Sequence, residues 1–173
     1  MEHIVINDTN VLIDLCNSGM ISHCRQLSLD MHTIEYVVNE IVDPMQKSII
    51  ESCISEGSLK VDTLDAEDNM NLYQLFSVLR QSTNLSLPDC AVIVYAKRHA
   101  YHIITGDRRM RRYAESQGIK VPGTLYISDL LVSEGIVQPN VMSEHLRQLA
   151  ASNVRIPRNA IEERIKRYNK QTE

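Results

Sequence analysis

Short β-rich segments alternate with helical patterns along the first two thirds of the chain, and this alternation constrains the fold more than any other feature. The predicted strands cover residues 3–7, 31–37, 59–62, 102–105 and 119–121. Apolar residues at helical spacing predict helices near 11–15, 44–57, 65–79, 87–96 and 108–117. Strands separated by helices are typical of a parallel sheet. The order of the elements therefore predicts an α/β fold with a central parallel sheet.

The pattern changes after Gly123. Residues 125–132 are apolar, and residues 140–151 and 158–169 are predicted to form two further helices. The 173 residues are the length of about one domain. We therefore predict one α/β domain over residues 1–122 and an α-helical extension over residues 123–173 that packs on it or beside it.

Neither a membrane span nor a secretory leader is expected. No stretch approaches the ~18 uncharged apolar residues of a transmembrane helix. The N-terminus has no basic flank and no long apolar segment. The four cysteines form no C-x-x-C pair, as suits thiols in a reducing compartment. We expect a cytoplasmic protein that does not contact a membrane.

Charge is distributed unevenly along the chain. Residues 1–96 carry 4 Lys and Arg against 14 Asp and Glu, whereas residues 97–173 carry 14 against 8. Two basic clusters stand out, one at 108–112 and one at 155–170. Such an asymmetry points to a polyanion or an acidic protein as partner. Arginines that only keep exposed helix faces soluble are the alternative interpretation.

Four acidic residues are placed by the predicted topology at one edge of the sheet. Asp8 ends the first strand, and Glu40 lies just past the second. Asp107 follows the strand at 102–105, and Asp89 lies in the first turn of the helix that leads into that strand. A crossover helix runs antiparallel to its strand, so its N-terminus lies at the strand's carboxyl end. Sites in open parallel sheets form at that edge.

Carboxylates that converge raise one another's pKa unless a cation compensates their charge. All-oxygen ligands favour Mg²⁺ or Mn²⁺, which activate water and stabilise a phosphoryl transition state. The arginines just past Asp107 would then hold a phosphate backbone beside the metal; they are Arg108, Arg109, Arg111 and Arg112. Each aspartate also has a structural alternative, because Asp is common at helix N-termini. The structural alternative for Glu40 is that it is a solvated helix residue.

Four segments in fixed order carry a family resemblance. They are Ile-Val-Ile-Asn-Asp-Thr-Asn-Val-Leu-Ile at 4–13, Val-Val-Asn-Glu-Ile at 37–41, Leu-Pro-Asp at 87–89, and Ile-Ile-Thr-Gly-Asp-Arg-Arg-Met at 103–110. Together they resemble a PIN domain over residues 3 to about 122. The resemblance implies a three-layer α/β/α sandwich and a metal-dependent ribonuclease. Many members of that family are the toxin of a prokaryotic toxin–antitoxin pair, which adds an antitoxin as a possible partner.

The family's functional positions map onto this chain residue by residue. Asp8, Glu40, Asp89 and Asp107 match its acidic metal-binding and catalytic set, and Thr9, Asn10 and Thr105 match polar positions that support it. One departure concerns the segment after Asp107, where many members carry a further acid and this chain carries Arg108 and Arg109. That departure leaves the number of metals open. The helical tail lies outside the common core; it can dimerise, pair with a partner or pack on its own domain.

Two other classes of function stay open at this point. In a phospho-accepting α/β protein Asp8 would be a nucleophile, although Asn10 stands where such hydrolases carry a second aspartate. In a non-catalytic module that binds nucleic acid or protein, the basic tail would carry the function. The preferred hypothesis is a Mg²⁺- or Mn²⁺-dependent endoribonuclease that acts as a toxin.

Overall fold

Four short strands form a parallel sheet at the centre of the molecule. The computed structural model describes residues 4–153 and 155–170. The strands are β1 (Ile4–Asn7), β2 (Asp30–Ile34), β3 (Lys60–Asp62) and β4 (His102–Ile104). They lie in the order β3-β2-β1-β4, and every neighbouring pair is parallel. This sheet confirms the predicted α/β class.

Helices surround the sheet. Those of the described residues are α1 (Thr9–Asn17), α2 (Ile21–Cys24), α3 (Glu35–Val38), α4 (Pro44–Ser55), α5 (Ala66–Leu79), α6 (Leu87–His99), α7 (Arg108–Ser116), α8 (Thr124–Ser133), α9 (Pro139–Ser152) and α10 (Arg158–Asn169). Parallel sheets need helical cover on both faces. The result is the three-layer sandwich that the family resemblance implied.

The core sits where β1 meets α1 and α6. Val5 and Ile6 of β1 are buried, and so is every residue of α6 from Cys90 to Ala96. A helix that is apolar all round must be covered on all sides. Because α6 is held this firmly, its N-terminus has a defined position at the carboxyl edge of the sheet.

Two predicted strands differ in the structure. The strand predicted over 31–37 ends at Ile34, because Glu35–Val38 turns into α3 and buries Val37. Short apolar runs do not distinguish a strand from a buried helical turn. The strand predicted over 119–121 is not formed. Its segment only accepts bonds from β4, with Ile103 N donating to Lys120 O at 3.0 Å and Thr105 N to Pro122 O at 3.3 Å.

The last three helices pack on the rest of the chain. α9 contacts α1, α8 and α10, and α8 contacts α1 and α2. The tail's apolar residues are covered by this packing within the chain; Leu146, Leu149, Ile156 and Ile161 are buried. A domain boundary at residue 122 stays a prediction. Within the described residues, no helix combines the length and apolarity needed to cross a bilayer.

Polar contacts also hold the tail in place. The Glu134 carboxylate accepts bonds from Ser28, from N at 3.0 Å and from Oγ at 2.6 Å. Nδ1 of His145 lies 2.7 Å from the carbonyl oxygen of Ser18. Asn153 Nδ2 donates to Asp14 Oδ2 at 2.6 Å. The first two contacts hold α8 and α9 on the domain, and the third holds the start of the α9–α10 loop beside α1.

Candidate active site

Asp8 lies at the carboxyl end of β1 and is only 2% exposed. Its Oδ1 accepts from Val11 N at 2.8 Å and so caps α1, while its Oδ2 accepts a hydrogen bond from Thr105 Oγ1. Burial raises the pKa of Asp8 to about 7, although the Thr105 and Val11 bonds lower it. The nearby Asp89 and Asp14 carboxylates contribute to the rise as well. Asp8 is thus a buried carboxyl whose ionisation is costly without a nearby cation.

Thr105 links Asp8 to Asp107. The Thr105 hydroxyl donates to Asp8 and accepts from the backbone N–H of Asp107 at 3.0 Å. Asp107 then caps α7, since its Oδ1 accepts from Arg109 N at 2.7 Å and from Met110 N at 3.0 Å. The loop after β4 therefore places two of the predicted acids on either side of one buried hydroxyl.

Asp89 is held by a reciprocal capping box at the start of α6. Ser86 Oγ accepts from Asp89 N at 3.2 Å, and Asp89 Oδ2 accepts from Ser86 N at 2.8 Å. Such a pair fixes both the helix start and the rotamer of the acid. The Ser-x-x-Asp spacing at 86–89 is its signature in the sequence.

Glu40 reaches the same place from the turn that follows α3. The Thr9 hydroxyl, in the first turn of α1, donates to Glu40 Oε2. The bond spans 31 positions in the sequence. It holds the exposed Glu40 side chain at the edge of the sheet where β1 ends.

These side chains line one open cleft, called here the acidic cleft, of about 260 Å³. Its walls are Thr9, Asn10, Glu40, Ser86, Asp89, Asp107 and Arg155. Asp8 lies beneath it, bonded to Val11 and Thr105. The structure therefore brings the four predicted acids together with Thr9, Asn10 and Thr105.

The donor set of the acidic cleft suits a hard divalent cation. One carboxylate oxygen of each of Glu40, Asp89 and Asp107 accepts no hydrogen bond from any described residue. Oxygen ligands of this kind are what Mg²⁺ and Mn²⁺ bind. As the side chains stand, however, no three His, Cys, Asp or Glu residues within 4–153 and 155–170 are arranged as metal ligands. The chemistry of the donors fits the cation, whereas their present arrangement is not that of a complete ligand set.

The predicted basic residues of α7 divide into groups. Arg111 is half-buried, and its guanidinium donates to the carbonyl oxygens of Val121 and Thr105, the latter at 3.1 Å. Arg109 and Arg112 are exposed and line neither the acidic cleft nor its neighbour. Arg108 is exposed and lines the neighbouring cleft.

That neighbour, called here the basic cleft, has a volume of about 510 Å³. It lies between the start of α7, the start of α8 and α10, and four arginines line it against one carboxylate, Asp129. Arg155 lines both clefts, which makes them adjacent. Sequence reasoning placed Arg155 in a basic cluster but not at the site, because its position depends on the packing of α9 on α1.

Comparison with known proteins adds one finding. A family model described as a PIN domain matches residues 4–170, which is nearly the whole chain. The match extends past residue 122 and includes the three helices that follow. No curated protein matches the chain.

Proposed function

The chain belongs to the PIN-domain family, whose members are generally nucleases, and on that premise we propose that it is a divalent-metal-dependent endoribonuclease. The observation that carries the proposal is the convergence of four carboxylates from four separate segments. Glu40, Asp89 and Asp107 line one cleft, and Asp8 lies beneath it. Capping alone would not require these acids to meet.

A Mg²⁺ or Mn²⁺ ion is the proposed cofactor, with Asp8, Asp89, Asp107 and Glu40 as the residues that would hold it. When bound, such an ion lowers the pKa of water and neutralises charge that develops on a phosphoryl group. The buried Asp8 carboxyl would lose its proton in favour of this positive charge. Asn10 lines the same cleft and supplies a further polar side chain beside it.

Glu40 is proposed as the base that orients the attacking water. Its Oε2 is held by the Thr9 hydroxyl, so the carboxylate has a fixed direction. Its Oε1 accepts no bond from the described residues and is left to accept a proton. Arg108 and Arg155, beside the acids, would balance the charge of the phosphate backbone.

The test is cleavage of a mixed RNA pool by the purified protein with Mn²⁺ or with EDTA. We expect Mn²⁺-dependent cleavage that Asp8→Asn and Asp107→Asn abolish. Asp43→Asn is the matched control, because Asp43 also caps a helix but lines neither cleft. Cleavage that survives in the Asp8→Asn variant, or that proceeds in EDTA, would contradict the proposal.

A toxin role within a type II toxin–antitoxin pair is the finer proposal. Family membership supports it, and so does the segment after Glu40, where Val42 is 85% and Met45 is 74% exposed. Large apolar side chains beside a functional cleft are typical of a protein contact. Induced expression should arrest growth of a bacterial host, and the Asp8→Asn variant should not. Equal growth of the two strains would contradict the toxin role.

A non-catalytic module that binds nucleic acid is the second candidate. The observation that favours it is that the aspartates are occupied as helix caps, with no ready set of three metal ligands within the described residues. Binding of RNA that needs no metal and survives loss of all four acids, without cleavage, would support this candidate. An aspartyl-phosphate enzyme is disfavoured, because Asp8 is buried and both of its oxygens are bonded.

A further inference from the structure

The basic cleft is a second concave site, built largely by the C-terminal helices. Residues from the β4–α7 loop, the start of α8, the α9–α10 loop and α10 line it. The proposed function uses only two residues of the basic cleft, Arg108 and Arg155. Its remaining wall therefore needs its own explanation.

The four arginines of the basic cleft are not equivalent. Arg164 is paired with Asp129, its Nε and Nη2 atoms lying 2.9–3.2 Å from the carboxylate oxygens. Arg111 is bound by the carbonyl oxygens of Val121 and Thr105. By contrast, no described residue accepts a hydrogen bond from the guanidinium of Arg108 or of Arg155, although the charge of Arg155 acts on the nearby Asp14 carboxylate. Arg111 and Arg164 thus form a fixed wall, whereas Arg108 and Arg155 are exposed and can contact an anionic ligand.

The N-terminus of α8 faces the same cleft. Its first residues line the wall, and its N-cap is Gly123, which offers no side chain to accept from the first N–H groups. A helix start with uncapped N–H groups favours an anion. Together with Arg108 and Arg155, it makes this cleft suited to a phosphate.

An aromatic ring and an apolar surface complete the cleft. Tyr126 lines it and is 36% exposed. Ile156, Pro157 and Ala160 form apolar wall beside it. A cleft that combines exposed guanidinium groups with an accessible aromatic ring is typical of sites that bind single-stranded nucleic acid through phosphate contacts and base stacking.

We propose that the basic cleft binds the nucleotide next to the phosphate held in the acidic cleft, with Arg108 and Arg155 at its phosphate and the Tyr126 ring against its unpaired base. This inference rests on the proposed function, since it names the substrate as single-stranded RNA. Because Arg155 lines both clefts, one strand of RNA would contact Arg155 as it passes from the acidic cleft to the basic cleft.

The test is binding of a short fluorescein-labelled single-stranded oligouridylate, followed by fluorescence anisotropy in EDTA so that no cleavage intervenes. Tyr126→Ala should weaken binding about 5- to 150-fold, the effect expected when one stacked base is lost. Tyr126→Phe, which keeps the ring, should stay within about twofold. Arg155→Gln should weaken binding and lower the slope of log K against log salt by about one.

The matched control is Arg158→Gln, an exposed arginine three residues from Arg155 that does not line the basic cleft. It should change binding by no more than about twofold. A second probe, the same ribose-phosphate chain without bases, should bind wild type and Tyr126→Ala equally. Thermal unfolding of each variant checks that the fold is retained.

The inference and the proposed function fail in different ways. If wild type cleaves RNA with Mn²⁺ but Tyr126→Ala and Arg155→Gln bind oligouridylate like Arg158→Gln, the nucleotide subsite is wrong and the nuclease stands. If Tyr126→Ala loses binding equally for the probe without bases, stacking is wrong. If nothing is cleaved but binding depends on Tyr126 and Arg155, the subsite is supported and the nuclease is not.

Discussion

The acidic cleft and the basic cleft differ in the bonds that hold their charged side chains. Asp8, Asp89 and Asp107 each accept a hydrogen bond from a backbone N–H two or three positions away. Asp8 is held in addition by the Thr105 hydroxyl, 97 positions away. In the basic cleft Arg164 is held by Asp129, 35 positions away, and Arg111 is held by backbone carbonyl oxygens 6 and 10 positions away. Local capping orients each aspartate, and the tertiary fold brings the acids together. The basic cleft depends on side-chain bonds between Asp129 of α8 and Arg164 of α10.

The two clefts also differ in electrostatic cost. Asp8 is buried beside Asp89, and burial raises its pKa to about 7, so its ionised form destabilises the fold. The free arginines of the basic cleft are exposed to water and carry no such cost. A buried carboxyl with a raised pKa is typical of a site that awaits a positive charge. The following predictions test this difference, from the largest expected effect to the smallest.

Asp89→Asn should lower Mn²⁺-dependent RNA cleavage by about 10³-fold or more, because a charge that stabilises the transition state is lost. Asp89 is the N3 residue of the α6 capping box, and Asn there keeps a side-chain oxygen that can accept from Ser86 N, so a merely structural acid would tolerate the change. Single-turnover cleavage assays measure the effect, with Asp43→Asn as the capping control. Equal losses in the two variants would mean that capping, rather than chemistry, explains the acid.

Asp8→Asn should stabilise the fold by up to about 4 kcal/mol at pH 8 in EDTA. The folded pKa of Asp8, about 7, lies above its ordinary value of 3.8, so the native state binds the proton more tightly than the unfolded chain does. Wild-type stability should therefore fall as pH rises from about 4 to 7, and the gain from Asp8→Asn should vanish near pH 4. Urea unfolding at several pH values measures this. A variant less stable than wild type at pH 8 would contradict the burial cost.

Apparent affinity for Mn²⁺ should fall about tenfold per pH unit below pH 7, because Asp8 must lose its proton before it binds a cation. Above pH 7 the affinity should level off. Isothermal titration calorimetry at pH 6 and pH 8 measures the change, and Asp8→Asn should bind more weakly with little dependence on pH. Equal wild-type affinities at pH 6 and pH 8 would show that protons do not compete with the cation for Asp8.

Asp129→Asn should destabilise the fold by about 1–3 kcal/mol, because Asp129 accepts from Arg164, Arg167 and Tyr168 and joins α8 to α10. Glu144→Gln is the control, since Glu144 pairs with Arg147 on the exposed surface of one helix. That pair should contribute no more than about 0.5 kcal/mol. Thermal or urea unfolding compares the two. A loss no greater than that of Glu144→Gln would mean that the Asp129 network does not hold the basic cleft.

Much of the fold follows from periodicity alone. β1, β4 and the helices α4, α5, α6 and α7 lie close to their predicted bounds, because their apolar spacing and helix ends are strong signals. The segment after β2 was predicted wrongly as strand, since a short apolar run fits either state. The strand at 119–121 was also wrong. There Pro122 lacks an N–H, and the segment accepts bonds from β4 without entering the ladder.

By itself the sequence determined the order of the elements and the edge at which four acids meet, because topology alone sets where strands end and crossover helices begin. The capping box of Ser86 and Asp89 is also recognisable in the sequence, since its Ser-x-x-Asp spacing is local. Only the tertiary structure placed Arg155 between the two clefts and Tyr126 in the same cleft as the arginines of α7 and α10. Those positions depend on how α9 packs on α1 and α8 on α10, and no local pattern encodes contacts made over such separations in the chain.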